Sequence, residues 1–258
     1  MTGKVYLVGA GPGDPELLTL KAARVLARAD VVLHDALVSD AVLAMISPAA
    51  ELINVGKRAG QKLLTQDEIN ALLISNGRTH PAVVRLKGGD PSIFGRAGEE
   101  IEALRRAGIA YEIVPGISAA LGAAAAAGIS LTDRRVASQI VLTTFSRGID
   151  GSVMDWGCVT STTTLVLYMP GAAYAEVSEH LLGGGLPADL PCVIVSNATN
   201  PQQQVRWSSV GRLAREEKLL APALLIVGRV ASHEVAEISA QFWGRSRKDP
   251  DLQQPSVS

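Results

Sequence analysis

Residues 86–96, LKGGDPSIFGR, could bind a small polar ligand. Gly88 and Gly89 follow an apolar strand directly, and Asp90 follows the glycines. Glycines let the backbone approach a ligand closely, and in open α/β folds ligands bind at the carboxyl ends of strands. Amides beside a carboxylate suit a zwitterionic amino acid and ribose hydroxyls better than a phosphate, which the carboxylate would repel. The alternative is a simple Gly-Gly-Asp-Pro turn.

A second glycine-rich loop, VGAGPGDP at residues 8–15, follows the first predicted strand. It does not match the dinucleotide fingerprint G-x-G-x-x-G, because the third glycine would stand at the position of Asp14. Pro12 lacks the N–H that a pyrophosphate would bind, and an acidic side chain at a helix N-terminus competes with phosphate. The loop therefore predicts a tight turn capped by Asp14, or one wall of a ligand site.

Alternating strands and helices must position these loops. The Thr65-Gln66-Asp67-Glu68 capping box starts one predicted helix, and the Pro-Gly pair at 115–116 is the predicted domain boundary. We expect an α/β domain at 1–115, an α/β domain with a mixed sheet at 116–243, and a disordered tail at 244–258. Strands are predicted near 4–8, 31–33, 82–86, 111–114, 139–144, 163–168, 192–196, 204–208 and 223–227, and helices near 15–29, 97–107, 172–182, 210–217 and 232–242.

Charge and cysteine content exclude several protein classes. The 258 residues include 24 basic and 25 acidic side chains, so no overall field predicts nucleic-acid or membrane binding. Cys158 and Cys192 form no C-x-x-C pair, which favours a reducing compartment. The chain runs from Met1 into a strand without a signal peptide, and the apolar run 117–131 is shorter than the roughly 20 residues of a membrane span. We expect a cytoplasmic protein.

Four stretches together resemble the uroporphyrinogen-III C-methyltransferases, a branch of the tetrapyrrole methylases. They are VYLVGAGPGDPELLTLKA, RLKGGDPSIFGRAGEE, VPGISAALGAAAAAGISLTDR and LVLYMPG. The resemblance extends in order over residues 3–242. The first stretch is shared by the whole superfamily, whereas the second is more specific to the uroporphyrinogen branch.

The resemblance implies an α/β protein of the tetrapyrrole methylase type, with S-adenosylmethionine in the cleft between its two domains and usually a homodimer. The segment 196–203, SNATNPQQ, departs from the more usual Asn-Gly-Thr pattern of that family. Matched motif by motif, the residues implied to line the cofactor site are Pro12, Gly88, Gly89, Asp90, Ile93, Ser118, Ala119, Met169 and Ala198.

The resemblance also implies catalytic and substrate-binding positions. Asp35 and Lys57 match the positions usually assigned as proton acceptor and proton donor, and Arg96, Glu99 and Arg134 are the substrate-side candidates, with Arg96 also a catalytic candidate. A substrate with eight carboxylates requires guanidinium and ammonium groups. Without the motifs, each of these side chains is equally consistent with an ordinary charged loop or helix end.

The implied reaction is transfer of two methyl groups from S-adenosylmethionine to uroporphyrinogen III, at C-2 and C-7, giving precorrin-2 for sirohaem, cobalamin or haem d1 biosynthesis. This chemistry needs no metal. The alternatives are a sibling methylase acting on a later corrin precursor, a nicotinamide-dependent oxidoreductase, and a tetrapyrrole carrier without turnover. The four histidines show no metal-ligand spacing: His34, His80, His180 and His233.

Overall fold

The structure, a computed structural model, describes residues 3–56, 64–145, 155–171 and 173–232. The chain forms two compact units, an N-terminal unit of Met1–Ala123 with Asn197–Gln203 and a C-terminal unit of Ala124–Ser196 with Gln204–Ser258. This division differs from the boundary predicted at residue 115. The predicted tail, 244–258, lies outside the described residues.

The N-terminal unit is built on a parallel five-stranded sheet with the order β3-β2-β4-β1-β5. The carboxyl ends of β1, β4 and β5 therefore lie side by side at one edge of the sheet. The strands are Lys4–Gly9 (β1), Val31–His34 (β2), Glu51–Asn54 (β3), Ala82–Lys87 (β4) and Ala110–Val114 (β5).

Helices cover both faces of this sheet, so its central strands β1, β2 and β4 are mostly buried. Val84 and Leu86 of β4 belong to one buried cluster with α1, and Val83 belongs to the other with α3 and α4. Side chains alternate between the two faces along a strand. The helices are Leu20–Leu26 (α1), Asp40–Leu43 (α2), Gln66–Thr79 (α3) and Ala97–Arg106 (α4). A fifth helix, Ala119–Ala126 (α5), begins in this unit and ends in the C-terminal unit.

Local capping decides where two of these helices begin. The capping box predicted for α3 is confirmed, because Glu68 N donates to Thr65 Oγ1 (3.2 Å) and Thr65 N donates to Glu68 Oε2 (2.7 Å). The single helix predicted over 15–29 is wrong. Thr19 has extended backbone and accepts from Ala22 N (3.1 Å), so it caps α1 and separates it from a short 3-10 helix before it.

The C-terminal unit contains a mixed five-stranded sheet with the order β6-β7-β10-β8-β9, which confirms the predicted mixed sheet. Strands β6 and β7 are parallel, and the other neighbouring pairs are antiparallel. Its elements are Gln139–Thr144 (β6), Thr163–Tyr168 (β7), Tyr174–Gly183 (α6), Pro191–Ser196 (β8), Gln204–Ser209 (β9), Val210–Leu213 (α7) and Ala223–Val227 (β10).

The two cysteines are free thiols, and Cys158 is exposed whereas Cys192 is buried. Burial raises the pKa of Cys192 to about 12, so this thiol is protonated at neutral pH. In the described part of the chain, no helix combines the length and the apolar character needed to cross a bilayer.

We predict that Leu104→Ala destabilises the protein by about 2–5 kcal/mol, because Leu104 is fully buried between α4 and the parallel sheet. Urea unfolding followed by circular dichroism measures the change. Leu20→Ala is the matched control, since Leu20 is 84% exposed, and it should change the free energy of unfolding by less than about 0.5 kcal/mol. Equal effects of the two substitutions would contradict this packing.

Candidate functional site

Three loops of the N-terminal unit meet where β1, β4 and β5 end. Gly11 N donates to Gly89 O (3.1 Å) and Gly89 N donates to Gly11 O (2.8 Å), which joins the first two loops. Gly116, after β5, lies against both, since a Cβ built on it would be 2.3 Å from Gly89 O and 2.8 Å from Gly9 Cα. Side chains do not fit at such backbone contacts, so glycine is required there.

Asp90 ties two of these loops together. Its Oδ2 accepts from Gly116 N (3.0 Å), and its Oδ1 accepts from Ser92 N (2.8 Å) and the Ser92 hydroxyl. Partial burial opposes ionisation of Asp90, but these hydrogen bonds outweigh it and hold the pKa of the carboxyl below its usual value of 3.8. The carboxylate therefore shapes the junction as well as giving it a negative charge.

The first residues of α5 lie beside the same junction. A Cβ built on Gly89 would be 3.4 Å from Ala119 N and 3.9 Å from Ser118 Cα. Ser118 and Ala119 are both half-buried. The structure thus brings together five of the residues implied to bind the cofactor, which are Gly88, Gly89, Asp90, Ser118 and Ala119.

Pro12 and Ala198 come together through a segment from the second half of the sequence. Asn200 Nδ2 donates to Pro12 O (3.3 Å) and to Ala198 O (3.2 Å), and Asp14 N donates to Thr199 Oγ1 (3.2 Å). Thr199 and Asn200 belong to the stretch that departs from the family pattern. Side chains of Thr199 and Asn200 therefore fasten this segment to the loop after β1.

Several amides of the loop after β1 are not free to bind a phosphate. Asp14 Oδ1 accepts from Glu16 N (2.9 Å), Asp14 N is bonded to Thr199, and Pro12 has no N–H. The carboxylate of Asp90 would also repel a phosphate. Both features disfavour a phosphate-bearing ligand at this edge, as the sequence predicts.

A chain of charged side chains extends from Asp35 into the interior, and none of its buried members was predicted from the sequence. Arg85 Nη2 donates to Asp35 Oδ1 (2.5 Å), and Arg85 Nε donates to Glu100 Oε1 (2.9 Å). Lys87 Nζ donates to both carboxylate oxygens of Glu100, at 2.9 and 3.0 Å. Asp35 is half-exposed, while the other three side chains are at most 3% exposed.

These charges perturb one another. Burial opposes the charged form of Arg85, but Asp35 and Glu100 outweigh it and raise the pKa of the guanidinium above its usual value. For Lys87, burial and the nearby Arg85 together lower the pKa below 10.5 despite the bonds to Glu100. The sequence does contain a signal for this cluster, because Arg85 and Lys87 alternate within an apolar strand and so share one covered face.

Arg96 and Glu99 form an exposed pair at the start of α4. Arg96 Nε and Nη2 donate to the two oxygens of Glu99, each at 2.7 Å. These hydrogen bonds raise the pKa of Arg96, so it stays a cation, and they use two of its five N–H donors. Phe94 (φ 50°) and Arg96 (φ 55°) both have left-handed backbone, in the turn that leads into α4. Ile93, in the same turn, is half-buried.

The remaining predicted site residues lie elsewhere or are outside the described part. Met169, directly after β7 in the C-terminal unit, is 55% exposed and also left-handed (φ 52°). Arg134 is exposed in the same unit, between the ion-paired Asp133 and Arg135. Lys57 lies outside the described residues. Within the described ranges, no cluster of three or more His, Cys, Asp or Glu side chains could hold a metal ion.

Residues 4–214 match the family model for tetrapyrrole (corrin/porphyrin) methylases. The chain is 49% identical, over 89% of its length and 82% of the relative's, to a uroporphyrinogen-III C-methyltransferase of Paracoccus denitrificans. It is 48% identical to one of Pseudomonas aeruginosa, over 92% and 98% of the two chains. A sirohaem synthase of Gluconobacter oxydans is 47% identical over 91% of this chain, which spans 50% of that longer protein.

The chain is also similar to solved structures of methyltransferases. The uroporphyrin-III C-methyltransferase of Thermus thermophilus in complex with S-adenosylhomocysteine is 40% identical, with a TM-score of 0.78, over 88% of this chain and 98% of that one. A cobalt precorrin-4 methyltransferase is 30% identical with a TM-score of 0.78, over 89% and 96% of the two chains. The match over two α/β units confirms the expected fold class.

We predict that Asp90→Ala lowers the free energy of unfolding by about 1–3 kcal/mol near pH 7, because it leaves the Gly116 and Ser92 amides without their acceptor. The folded-state pKa of Asp90 is depressed, so this stability is complete above pH 3.8 and is lost as the pH falls through the lower, folded-state value. Urea unfolding across this range measures the difference between variant and wild type.

The exposed Asp189 provides the control for this experiment. Asp189→Ala should change the free energy of unfolding by less than about 0.5 kcal/mol, both at pH 7 and at the lowest pH measured. A difference for Asp90→Ala that persists unchanged at a pH low enough to protonate Asp90 in the folded protein would show that the ionised carboxylate does not hold the junction.

Proposed function

Because the chain belongs to the tetrapyrrole (corrin/porphyrin) methylase family, we propose that it transfers methyl groups from S-adenosylmethionine to C-2 and C-7 of uroporphyrinogen III, giving precorrin-2. The observation that carries the proposal is the junction of Gly9, Gly89 and Gly116 with Asp90 at the carboxyl edge of the parallel sheet. Identities of 47–49% to relatives named for this activity or for sirohaem synthesis support the choice of substrate.

The cofactor-binding residues have distinct parts in this proposal. The bare backbone at Gly88 and Gly89 admits the ligand to the sheet edge, and Asp90 offers a negative charge to its hydroxyls or amino group. Ser118 and Ala119 form the adjacent wall at the start of α5. The other proposed binding residues, argued from the motifs, are Pro12, Ile93, Met169 and Ala198.

S-adenosylmethionine supplies the electrophilic methyl group, and the C–S bond breaks with its electron pair left on sulfur. The pyrrole π electrons form the new C–C bond, and the methylated ring becomes a cation that must lose a proton. We assign Asp35, whose carboxylate lies half-exposed directly after β2, as the acceptor of that proton. Lys57 is the proposed proton donor, from the motif match. The residues of the site otherwise act by orientation, which contributes up to about 7–11 kcal/mol in favourable cases.

Substrate recognition rests on cations held in fixed positions. The Arg96 guanidinium is oriented by its two-point contact with Glu99, so its other donors can engage a carboxylate of the macrocycle. Arg134 is the second proposed carboxylate contact. Exposed Leu37 and Phe94 lie in the loops next to Gly88 and Arg96 and could cover part of an apolar ring face.

The direct test is incubation of the purified protein with uroporphyrinogen III and S-adenosylmethionine. We expect a product two methyl groups heavier and two molecules of S-adenosylhomocysteine per product. Turnover of a later corrin precursor without turnover of uroporphyrinogen III would instead identify a sibling methylase. This alternative is the one to test because the chain is also similar to a cobalt precorrin-4 methyltransferase.

We predict that Arg96→Ala lowers kcat/KM for the tetrapyrrole about ten- to hundredfold, the loss of one or more charge-assisted hydrogen bonds worth about 1.5–3 kcal/mol each. Affinity for S-adenosylhomocysteine, measured by calorimetry, should stay within about twofold. The control is Arg106→Ala on the exposed side of α4, where Arg106 pairs with Glu102. Equal losses of cofactor affinity and turnover in Arg96→Ala would contradict the substrate role.

The pathway, the location and the oligomeric state are proposed from the family resemblance. Precorrin-2 from this reaction would enter sirohaem, cobalamin or haem d1 synthesis in the cytoplasm, and the enzyme would act as a homodimer. Analytical ultracentrifugation tests the oligomeric state, with twice the monomer mass as the expected result.

A further inference from the structure

The buried charge cluster in the N-terminal unit has a geometry that packing alone does not require. Arg85 and Lys87 share the face of β4 that α4 covers, and Glu100 lies on the buried stripe of α4 with Ala97 and Leu104. Burying such ions costs several kcal/mol each, and apolar side chains of similar volume often give equal or greater stability. Stability is therefore a weak explanation for the cluster.

Every nitrogen of the Arg85 guanidinium is held in place. Nε donates to Glu100 Oε1 (2.9 Å), Nη2 donates to Asp35 Oδ1 (2.5 Å), and Nη1 donates to the carbonyls of Leu33 (3.4 Å) and Leu86 (3.2 Å). Glu100 is itself fixed by Lys87 through both oxygens. Arg85 is thus held between β2, β4 and α4 by four hydrogen bonds.

Asp35 is where this cluster reaches the surface. Its side chain is 30% exposed, against 3% for Arg85 and 0% for Glu100. The bond from Arg85 fixes Oδ1, and the backbone of Asp35 is fixed by its N–H donating to Leu86 O (3.1 Å). The orientation of the second oxygen, Oδ2, is therefore determined from within the protein.

We propose that Arg85 is a positioning residue for the methyl transfer, acting through Asp35 and supported by Glu100 and Lys87. It holds the Asp35 carboxylate so that Oδ2 accepts the proton that the methylated ring releases. Arg85 itself does not touch the substrate. This inference rests on the proposed function, and specifically on Asp35 as the proton acceptor.

The test is a double-mutant cycle between Arg85→Lys and Asp35→Asn. Lysine keeps the positive charge but cannot contact Asp35, Glu100 and two carbonyls at once. We expect Arg85→Lys to lower kcat about ten- to hundredfold, the effect of a misplaced catalytic group, with KM and the Kd for S-adenosylhomocysteine within about twofold. In the Asp35→Asn background the same substitution should cost less than about twofold, because the group it positions is already lost.

Arg85→Met gives a second variant should the lysine destabilise the fold, because it leaves Lys87 and Glu100 as a balanced pair and Asp35 open to solvent. It should show the same dependence on Asp35. The matched control is Arg105→Lys, since Arg105 is exposed and bonded to the Tyr111 hydroxyl (2.8 Å), and it should leave kcat unchanged.

The outcomes separate the two proposals. Wild-type kcat in Arg85→Lys, or an equal loss with and without Asp35→Asn, would overturn the positioning role and leave the methyltransferase proposal intact. Full activity of Asp35→Asn would overturn both the proton-acceptor assignment and the positioning role. Failure of the wild-type protein to methylate uroporphyrinogen III would instead reject the proposed function itself.

Discussion

Direct contact between backbones at the carboxyl ends of β1, β4 and β5 is the constraint on which the N-terminal unit depends. Gly9, Gly89 and Gly116 approach so closely that a Cβ on Gly9 or Gly116 would overlap neighbouring backbone atoms. Asp90 then bonds across the junction to Gly116. The loops at this edge are consequently fixed relative to one another, and they present main chain rather than long side chains. A site of this kind can hold a ligand close to the sheet.

The first turn of α4 places one carboxylate at the surface and the next one in the interior. Glu99 and Glu100 are adjacent in α4, yet Glu99 faces outward to Arg96 and Glu100 is fully buried with Arg85 and Lys87. Arg96 starts the helix from a left-handed backbone conformation. The first turn of α4 thus connects the exposed pair proposed to bind substrate with the buried cluster that reaches Asp35. A reaction that depends on orientation more than on a protein nucleophile needs side chains held in fixed directions, and these hydrogen bonds provide that.

Much of the architecture was predictable because its signals are local. Alternating apolar segments identified every strand of the parallel sheet except β3, whose residues are partly exposed, and the Thr65 capping box marked the start of α3. The run from 15 to 29 was misjudged because helical periodicity continues across Thr19, whose side chain caps a new helix. Residues 197–203 could not be assigned to the N-terminal unit from sequence, because that depends on contacts of Thr199 and Asn200 with a loop about 190 residues earlier.

The sequence by itself determined the family, the two α/β units and the glycine and aspartate motifs, because short-range spacing and backbone requirements are written in consecutive residues. Only the tertiary structure decided which charges are buried together. Arg85, Lys87, Glu100 and Asp35 come from two strand segments and a helix, and their contact arises when α4 covers the sheet. In the linear sequence an arginine or glutamate looks the same whether it faces water or a buried partner, and only packing distinguishes the two cases.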